Sequence, residues 1–240
     1  MNQKRRTFAV VVWLALTLLS TGVSATPVFV ENAGFEAFIL DELHYTSHPS
    51  VAHTAPTPVY TLDPIPGWTV PTLQAIGTFN PTIIQYPGEA PAGDNIAYIG
   101  TTGGAFSQTL ATTLAGNTRY TLTVYVGDRM DSDASGVPAN ISDYTVQLLA
   151  GGIVLAEDDS SLDPSEGEFL ISTISFTSLS DNPLVGQPLG IRFASSAGYG
   201  TQVNFDDVRL DASPIPAPGA VLLGTLGTGI VGWLRKRRGL

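Results

Sequence analysis

The 240-residue chain contains no cysteine. Disulfides, thiolate zinc sites and thiol nucleophiles are therefore excluded. Lysine is missing from residues 26–213, and that stretch holds only four arginines: Arg119, Arg129, Arg192 and Arg209. The other seven of the 11 basic residues lie in the two terminal segments, which carry no acids. The four arginines thus face all 21 Asp and Glu, a net charge of −17. Such a surface repels nucleic acid and anionic lipid and accommodates divalent cations, so a nucleic-acid partner is excluded. No segment sustains a 3.6-residue apolar period, so no amphipathic helix organises the chain. A Gly-x-Ser-x-Gly elbow is also missing, and the abundant carboxylates sit in polar loops with no apolar setting to raise one pKa.

The two ends read as targeting segments. Lys4, Arg5 and Arg6 precede an apolar run at 8–19, and Val23-Ser24-Ala25 supplies small residues for cleavage after Ala25. Residues 1–25 are therefore expected to be a signal peptide. At the other end, Pro214, Pro216 and Pro218 alternate, residues 219–234 carry no charge, and Arg235, Lys236, Arg237 and Arg238 follow in a row. As a helix the uncharged run would span about 24 Å, against a hydrocarbon core of about 30 Å. Five glycines lie within it and weaken it as a helix. The cations fix its end in the cytoplasm. A short, glycine-laced transmembrane helix of this kind suits a temporary membrane stop.

The order of proline motif, short apolar span and basic cluster resembles the PEP-CTERM sorting signal, in a variant with Pro216-Ala217-Pro218-Gly219 at its start and Val231 to Arg235 at its end. Ala217 stands where the usual motif has Glu. The resemblance implies an exosortase-type transpeptidase and the export machinery as partners. It also implies passage through an inner-membrane intermediate to the cell surface or extracellular matrix.

Residues 26–213 have the length of one domain. Clean period-two alternation runs through 119–126, with Tyr120, Leu122, Val124 and Val126 on one face and Thr121, Thr123 and Tyr125 on the other. Further strands are expected at 59–62, 95–99, 105–110, 143–150, 153–156, 168–177, 189–194 and 202–210. Gly151-Gly152 should be a hairpin turn, and 157–166 an acidic loop. Many short strands with Gly, Pro and Asn punctuation argue an all-β sandwich. The order Val30-x-Asn32-x-x-Phe35-Glu36, Pro66-Gly67-Trp68, Phe106-x-Gln108-x-Leu110, Tyr120 to Val124 and Asn204-Phe205-Asp206-Asp207-Val208 resembles the galactose-binding-like jelly roll, which includes several carbohydrate-binding modules. That resemblance implies a jelly-roll β-sandwich of two antiparallel sheets and one structural calcium ion.

It also implies that Glu36 of the first motif and an Asp of the last strand reach the same calcium, with Asp206 and Asp207 the candidates and Asn32 placed to offer a carbonyl. Asp206 alternates with Val208 and Leu210, which places it on their core side. There a carboxylate needs a metal, loop amides, or Arg209 or Arg192 as partner. His44, His48 and His53 lie in a Pro-rich stretch without helical signals and read as solvated. Asp128, Asp131 and Asp133 lack the Gly and Glu of a calcium loop. Among the aromatics, Trp68 reads as core, while Tyr125, with Arg129 close behind it, is the best-placed ligand-binding candidate. The expected function is an exported, non-catalytic surface or matrix protein. The alternative is a calcium-bearing carbohydrate-binding module for an extracellular polysaccharide, and a glycan hydrolase ranks third. No enzyme activity is expected.

Overall fold

The computed structural model describes residues 24–38, 59–61, 63–71, 75–100, 103–130, 141–196, 198 and 200–215. The expected signal sequence before Ser24, the three histidines, Asp131 and Asp133, and the proline–helix–cation tail from Pro216 onward lie outside the described residues. Among the described residues no helix is long and apolar enough to cross a membrane.

The described residues form eleven strands in two antiparallel sheets, as the alternation and turn punctuation predict. The larger sheet contains β1 (Thr26–Val28), β2 (Val59–Thr61), β3 (Ile76–Asn80), β4 (Ile96–Ile99), β6 (Thr118–Asp128), β9 (Glu168–Ser178) and β11 (Val203–Pro214). Its order is β2-β3-β4-β11-β6-β9, with β1 also paired to β11. The smaller sheet runs β5-β10-β7-β8, from β5 (Gly104–Thr113), β10 (Pro188–Ser195), β7 (Tyr144–Ala150) and β8 (Ile153–Asp159). Gly151 and Gly152 have φ of 55° and 82°, the left-handed values that a two-residue hairpin turn between β7 and β8 requires.

Several local readings are corrected. Strand β3 carries no period-two signal because Ile76, Gly77, Thr78 and Phe79 are all buried: the sheet is covered on both faces there. The acidic stretch after Ala156 stays in β8 as far as Asp159. Residues 31–38 form turns, with Asn32 and Phe35 at positive φ.

The core between the sheets is a chain of aromatic contacts. Trp68 lies 5.6 Å from Phe35 and 5.3 Å from Phe106, Phe106 lies 5.1 Å from Phe193, and Phe193 stacks on Phe205 at 4.7 Å. Tyr120, Leu122, Val124 and Val126 all point into it, as their alternation predicts. At one side the two sheets are also joined by a buried polar group. Asp158 of β8 accepts hydrogen bonds from Ser172 of β9 (2.5 Å), from the Tyr144 hydroxyl (3.3 Å) and from the Ser161 amide (2.9 Å). Burial alone would raise the Asp158 pKa, but the donors Ser172, Ser161 and Tyr144 outweigh it and hold the carboxylate below its usual range.

A carboxylate with a lowered folded pKa contributes stability above the ordinary aspartate range, and that contribution disappears as pH falls through the folded value. Asp158→Ala should cost about 1–3 kcal/mol at neutral pH, the penalty for leaving buried donors unpaired. It should also flatten the acid limb of the stability profile. Urea unfolding at pH 7 and across the acid range measures both, and an unchanged acid limb would refute the assignment.

Candidate functional site

The larger sheet is apolar on its outer face as well as its inner one. In β4, Ala97 and Ile99 enter the main core while Ile96 and Tyr98 face outward, where they join Phe79 of β3 and Tyr86 in a second apolar cluster. Tyr60 of β2 and Phe169 of β9 pack against its two ends and remain part-exposed. Phe79 meets Tyr98 edge-on at 5.9 Å, and Tyr86 stacks on Phe169 at 4.3 Å. Two glycines make room for these rings. A Cβ on Gly77 would collide with the Thr61 carbonyl, and one on Gly127 would collide with the Phe169 ring and come within 2.6 Å of the Tyr86 hydroxyl.

Polar groups in this cluster are few and placed. The Tyr98 hydroxyl donates to the Thr61 carbonyl (3.2 Å), and the Tyr86 hydroxyl donates to Oδ1 of the fully buried Asn204 (2.9 Å). Asn204 Nδ2 donates to the Ala97 carbonyl. Burial raises the Tyr98 pKa, with Tyr60 adding to the effect and Arg129 opposing it. Burial likewise raises that of Tyr86, with Asp128 adding and Arg129 opposing. Both phenols therefore stay protonated as hydrogen-bond donors throughout the physiological range.

Asp206 lies on this outer face, which corrects the expectation that it shares a side with Val208 and Leu210. It pairs with the outward-facing Tyr125 of β6. A bulge follows, with Asp207 at φ 51° and the register shifted between Asp206 and Arg209, and it turns Val208 and Leu210 back into the core. Along this edge β11 is paired by β4 at 203–205 and by β1 at 210–212. The gap between them is filled by the 31–38 turn, whose Ala33 carbonyl accepts from the Val208 amide.

The four residues named for calcium divide into two pairs. Glu36 and Asp206 come together where the 31–38 turn meets the 90–95 loop. Glu36 Oε1 accepts from the Asp94 and Asn95 amides (2.9 and 2.6 Å), and Asp206 accepts from the Ala92 and Asp207 amides (2.8 and 2.7 Å). Burial is the largest influence on both carboxyls. It raises Glu36, with Asp94 adding, and pushes Asp206 up to about 8, with Asp207 and Glu36 adding, each against its backbone hydrogen bonds. The Asn95 side chain donates to the Phe38 carbonyl, and its Oδ1 is buried without a hydrogen-bond partner.

Asn32 and Asp207 are committed elsewhere. The Asn32 side chain bonds the Ala37 amide and the Pro66 carbonyl, and its own carbonyl accepts from Phe35 and Trp68. Asp207 forms an ion pair with Arg209 at 2.5 Å. Among the described residues no three His, Cys, Asp or Glu side chains converge as a metal cluster. Tyr125 lies part-buried on the outer face, two residues before Gly127. Arg129 lies just past the end of β6, within electrostatic reach of Tyr86 and Tyr98.

A family model described as HpiC1-like, HpiC1 cyclase, matches residues 26–211. The crystal structure of a cyclase from Fischerella sp. TAU is 32% identical, with a TM-score of 0.68, and the match covers 81% of this chain and 100% of that one. A Stig cyclase, Fisc, from the same organism, in complex with (3Z)-3-(1-methyl-2-pyrrolidinylidene)-3H-indole, is 32% identical with a TM-score of 0.66, over 80% of this chain and 100% of that one. A cyclase from that organism in complex with 4-(1H-indol-3-yl)butan-2-one is 30% identical with a TM-score of 0.61, over 80% and 100%. No curated protein matches. These matches overturn the expectation of a non-catalytic surface or matrix protein without enzyme activity, and with it the carbohydrate-binding and hydrolase alternatives.

Titration of Asp206 gives a test of the buried carboxyl. Its folded pKa lies above the unfolded one, so in metal-free protein its favourable contribution is complete below the ordinary aspartate pKa and is lost as pH rises from about 4 to about 8. Asp206→Asn should remove this downward slope. Melting temperatures between pH 4 and 8 in chelator would show it, and parallel profiles for the two proteins would count against the assignment.

Proposed function

The chain belongs to the HpiC1-like cyclase family, and from that premise we propose that it catalyses ring closure in a small, largely apolar substrate bearing an indole. The observation that carries the reading is the aromatic cluster on the outer face of the larger sheet. A cyclisation that passes through a cationic substrate requires walls that stabilise positive charge without offering a nucleophile. Ring faces do this, contributing about 0.5–2 kcal/mol each when desolvated. Phe79, Tyr98 and Tyr60 supply such a wall. The hydroxyl protons of Tyr98 and Tyr86 are committed to the Thr61 carbonyl and Asn204, which fixes the two rings, and the apolar surroundings keep out water that would trap the cation.

Indole ligands of the two Fischerella complexes motivate the substrate class. With the purified protein and indole-bearing candidates, mass spectrometry and NMR should detect an isomeric, ring-closed product. Phe79→Ala should lower kcat/KM by about tenfold or more, the equivalent of 1.4 kcal/mol of transition-state stabilisation. Phe79→Tyr should retain most of the rate. Turnover indifferent to Phe79→Ala would place the chemistry elsewhere.

We further propose that Glu36 and Asp206 hold a calcium ion. Their donor set fits a hard cation: Glu36 adds to the rise in the Asp206 pKa, and Asn95, whose amide bonds Glu36, carries a buried side-chain oxygen without a hydrogen-bond partner. The ion would supply the positive charge that the lysine-free domain lacks at this point and tie the 31–38 turn to β11. Calcium should raise the melting temperature, by the equivalent of about 2.7 kcal/mol at a hundredfold excess over Kd. It should also abolish the pH 4–8 slope. Asp206→Asn should lose the calcium response, and a shift unchanged in that variant would exclude this pair as the ligands.

A further inference from the structure

We propose that the end of the sandwich from which the chain leaves at Ile215 is a membrane-contact surface that sits on zwitterionic lipid headgroups. The proposal is independent of the cyclase reading. Three turns and the tail exit meet at that end. The Asn117 carbonyl accepts from the Ile215 amide (2.6 Å), which ties the start of the tail to the 114–117 turn between β5 and β6. The Leu114 amide donates to the Gln187 carbonyl and the Leu114 carbonyl accepts from the Gly186 amide (2.8 Å each), so the 179–187 loop lies against the same turn. A Cβ on Gly116 would come within 3.2 Å of the Leu179 carbonyl. The Gly151 amide donates to the Pro188 carbonyl (2.9 Å), which brings in the hairpin between β7 and β8.

Two properties separate this end from the rest of the surface. The first is apolar exposure. Among the described residues nine large apolar side chains are exposed, and five of them, Ile153, Val154, Leu179, Val185 and Ile215, are here. Such a concentration marks an interaction surface. The second is charge. Asp181 is the only charged residue in segments 111–118, 149–156, 178–190 and 212–215, in a domain of net charge −17. Acids crowd the opposite end, where Asp128 pairs with Glu168 and Asp159 with Thr145. The domain therefore has an acidic end that an anionic membrane repels and a neutral, apolar end that it does not.

The covalent link decides what covers the apolar end. Four residue steps separate Ile215 from Gly219, the first residue of the uncharged run, and they span at most about 14 Å fully extended. A headgroup layer is about 5–8 Å thick. With the 219–234 run in the hydrocarbon core and the four cations beyond it, so short a tether leaves this end of the sandwich at the headgroups. The run is shorter than the core is thick, which draws the domain closer still. Ile153, Leu179 and Val185 then enter the interface, and the acidic end points away from the bilayer.

The chain has no cysteine, so single labels can be placed on it one at a time. Full-length Ile153→Cys, Leu179→Cys and Val185→Cys would each carry a polarity-sensitive fluorophore, with Asp163→Cys labelled as the acidic-end reference. Each protein is reconstituted into phosphatidylcholine vesicles with and without a brominated acyl-chain quencher. The three labels should shift to the blue on reconstitution and be quenched several-fold more strongly than the label at 163. Leu179→Glu combined with Val185→Glu should reduce the quenching at 153 while the chain stays with the vesicles. Equal, weak quenching at all four positions of a vesicle-bound chain overturns the proposal. Release of the wild-type chain from the vesicles by alkaline carbonate overturns it as well, because the tether argument then fails. Labels shielded in detergent in step with protein concentration, with a doubled mass by light scattering, would mean that a second copy covers this end, and that too overturns the lipid contact.

Discussion

The arrangement of the domain depends on how β11 buries Asp206. A domain without lysine and with four arginines cannot give each interior carboxylate a cationic side chain. Asp207 takes Arg209, and Asp206 is left with backbone amides. Those amides come from two segments distant in sequence, the 90–95 loop and the bulge itself. Meeting this demand pulls the loop over the outer face and seats the 31–38 turn in the gap between β4 and β1. Burying a carboxylate on amides alone costs free energy, which is why its pKa rises and why a cation is the natural complement. The same bulge reverses the strand's facing. Upstream of it Asn204 serves the outer aromatic cluster, and downstream Val208 and Leu210 serve the main core.

The parts of the fold that could be read from the sequence are those with one solvated face. Residues 119–126 alternate because their outer neighbours are threonines and a part-exposed tyrosine, and the hairpin at Gly151-Gly152 needs positive φ that only glycine adopts easily. Where both faces are covered, alternation vanishes, so β3 left no period-two trace and the four buried residues of β4 gave an apolar run without facing information. The face of Asp206 was misread for a different reason. Strand parity carries a side-chain assignment only as far as the next bulge, and nothing in Asn204-Phe205-Asp206-Asp207-Val208 marks where the extra residue enters.

The candidate site was only half legible, and the reason is again burial. An exposed platform for a sugar favours Tyr125, which alternates onto the outer face of its strand, over more buried aromatics. In the structure the more buried tyrosines are the ones that cluster, around Gly77 and Gly127. Neither glycine follows a turn signal, and each sits inside a strand, where its use is to let another group approach the backbone closely. Read that way, a mid-strand glycine facing away from the main core was the available sign of a second apolar layer. Glu36 and Asp206 were found because a motif order pointed to them. Asn32 and Asp207 came with that order but are spent on a turn and an ion pair.

The same architecture can serve binding or catalysis, so sheet count and strand order do not decide between them. What separates the two is what happens to the aromatic face. A flat polysaccharide needs rings that stay open to solvent, because the ligand is itself hydrated and leaves along the surface. A substrate that becomes cationic during ring closure needs rings that are covered, because bulk water would both weaken the ring–cation attraction and end the reaction by addition. Phe79 and Tyr98, at 5% and 7% exposure, are covered. The turn that carries Tyr86 provides the cover, and it is held across the face by the sheet and the end of β6 through Asn204 and Met130. Covered rings on the outer face, more than any individual side chain, are what the proposed ring closure asks of this sandwich.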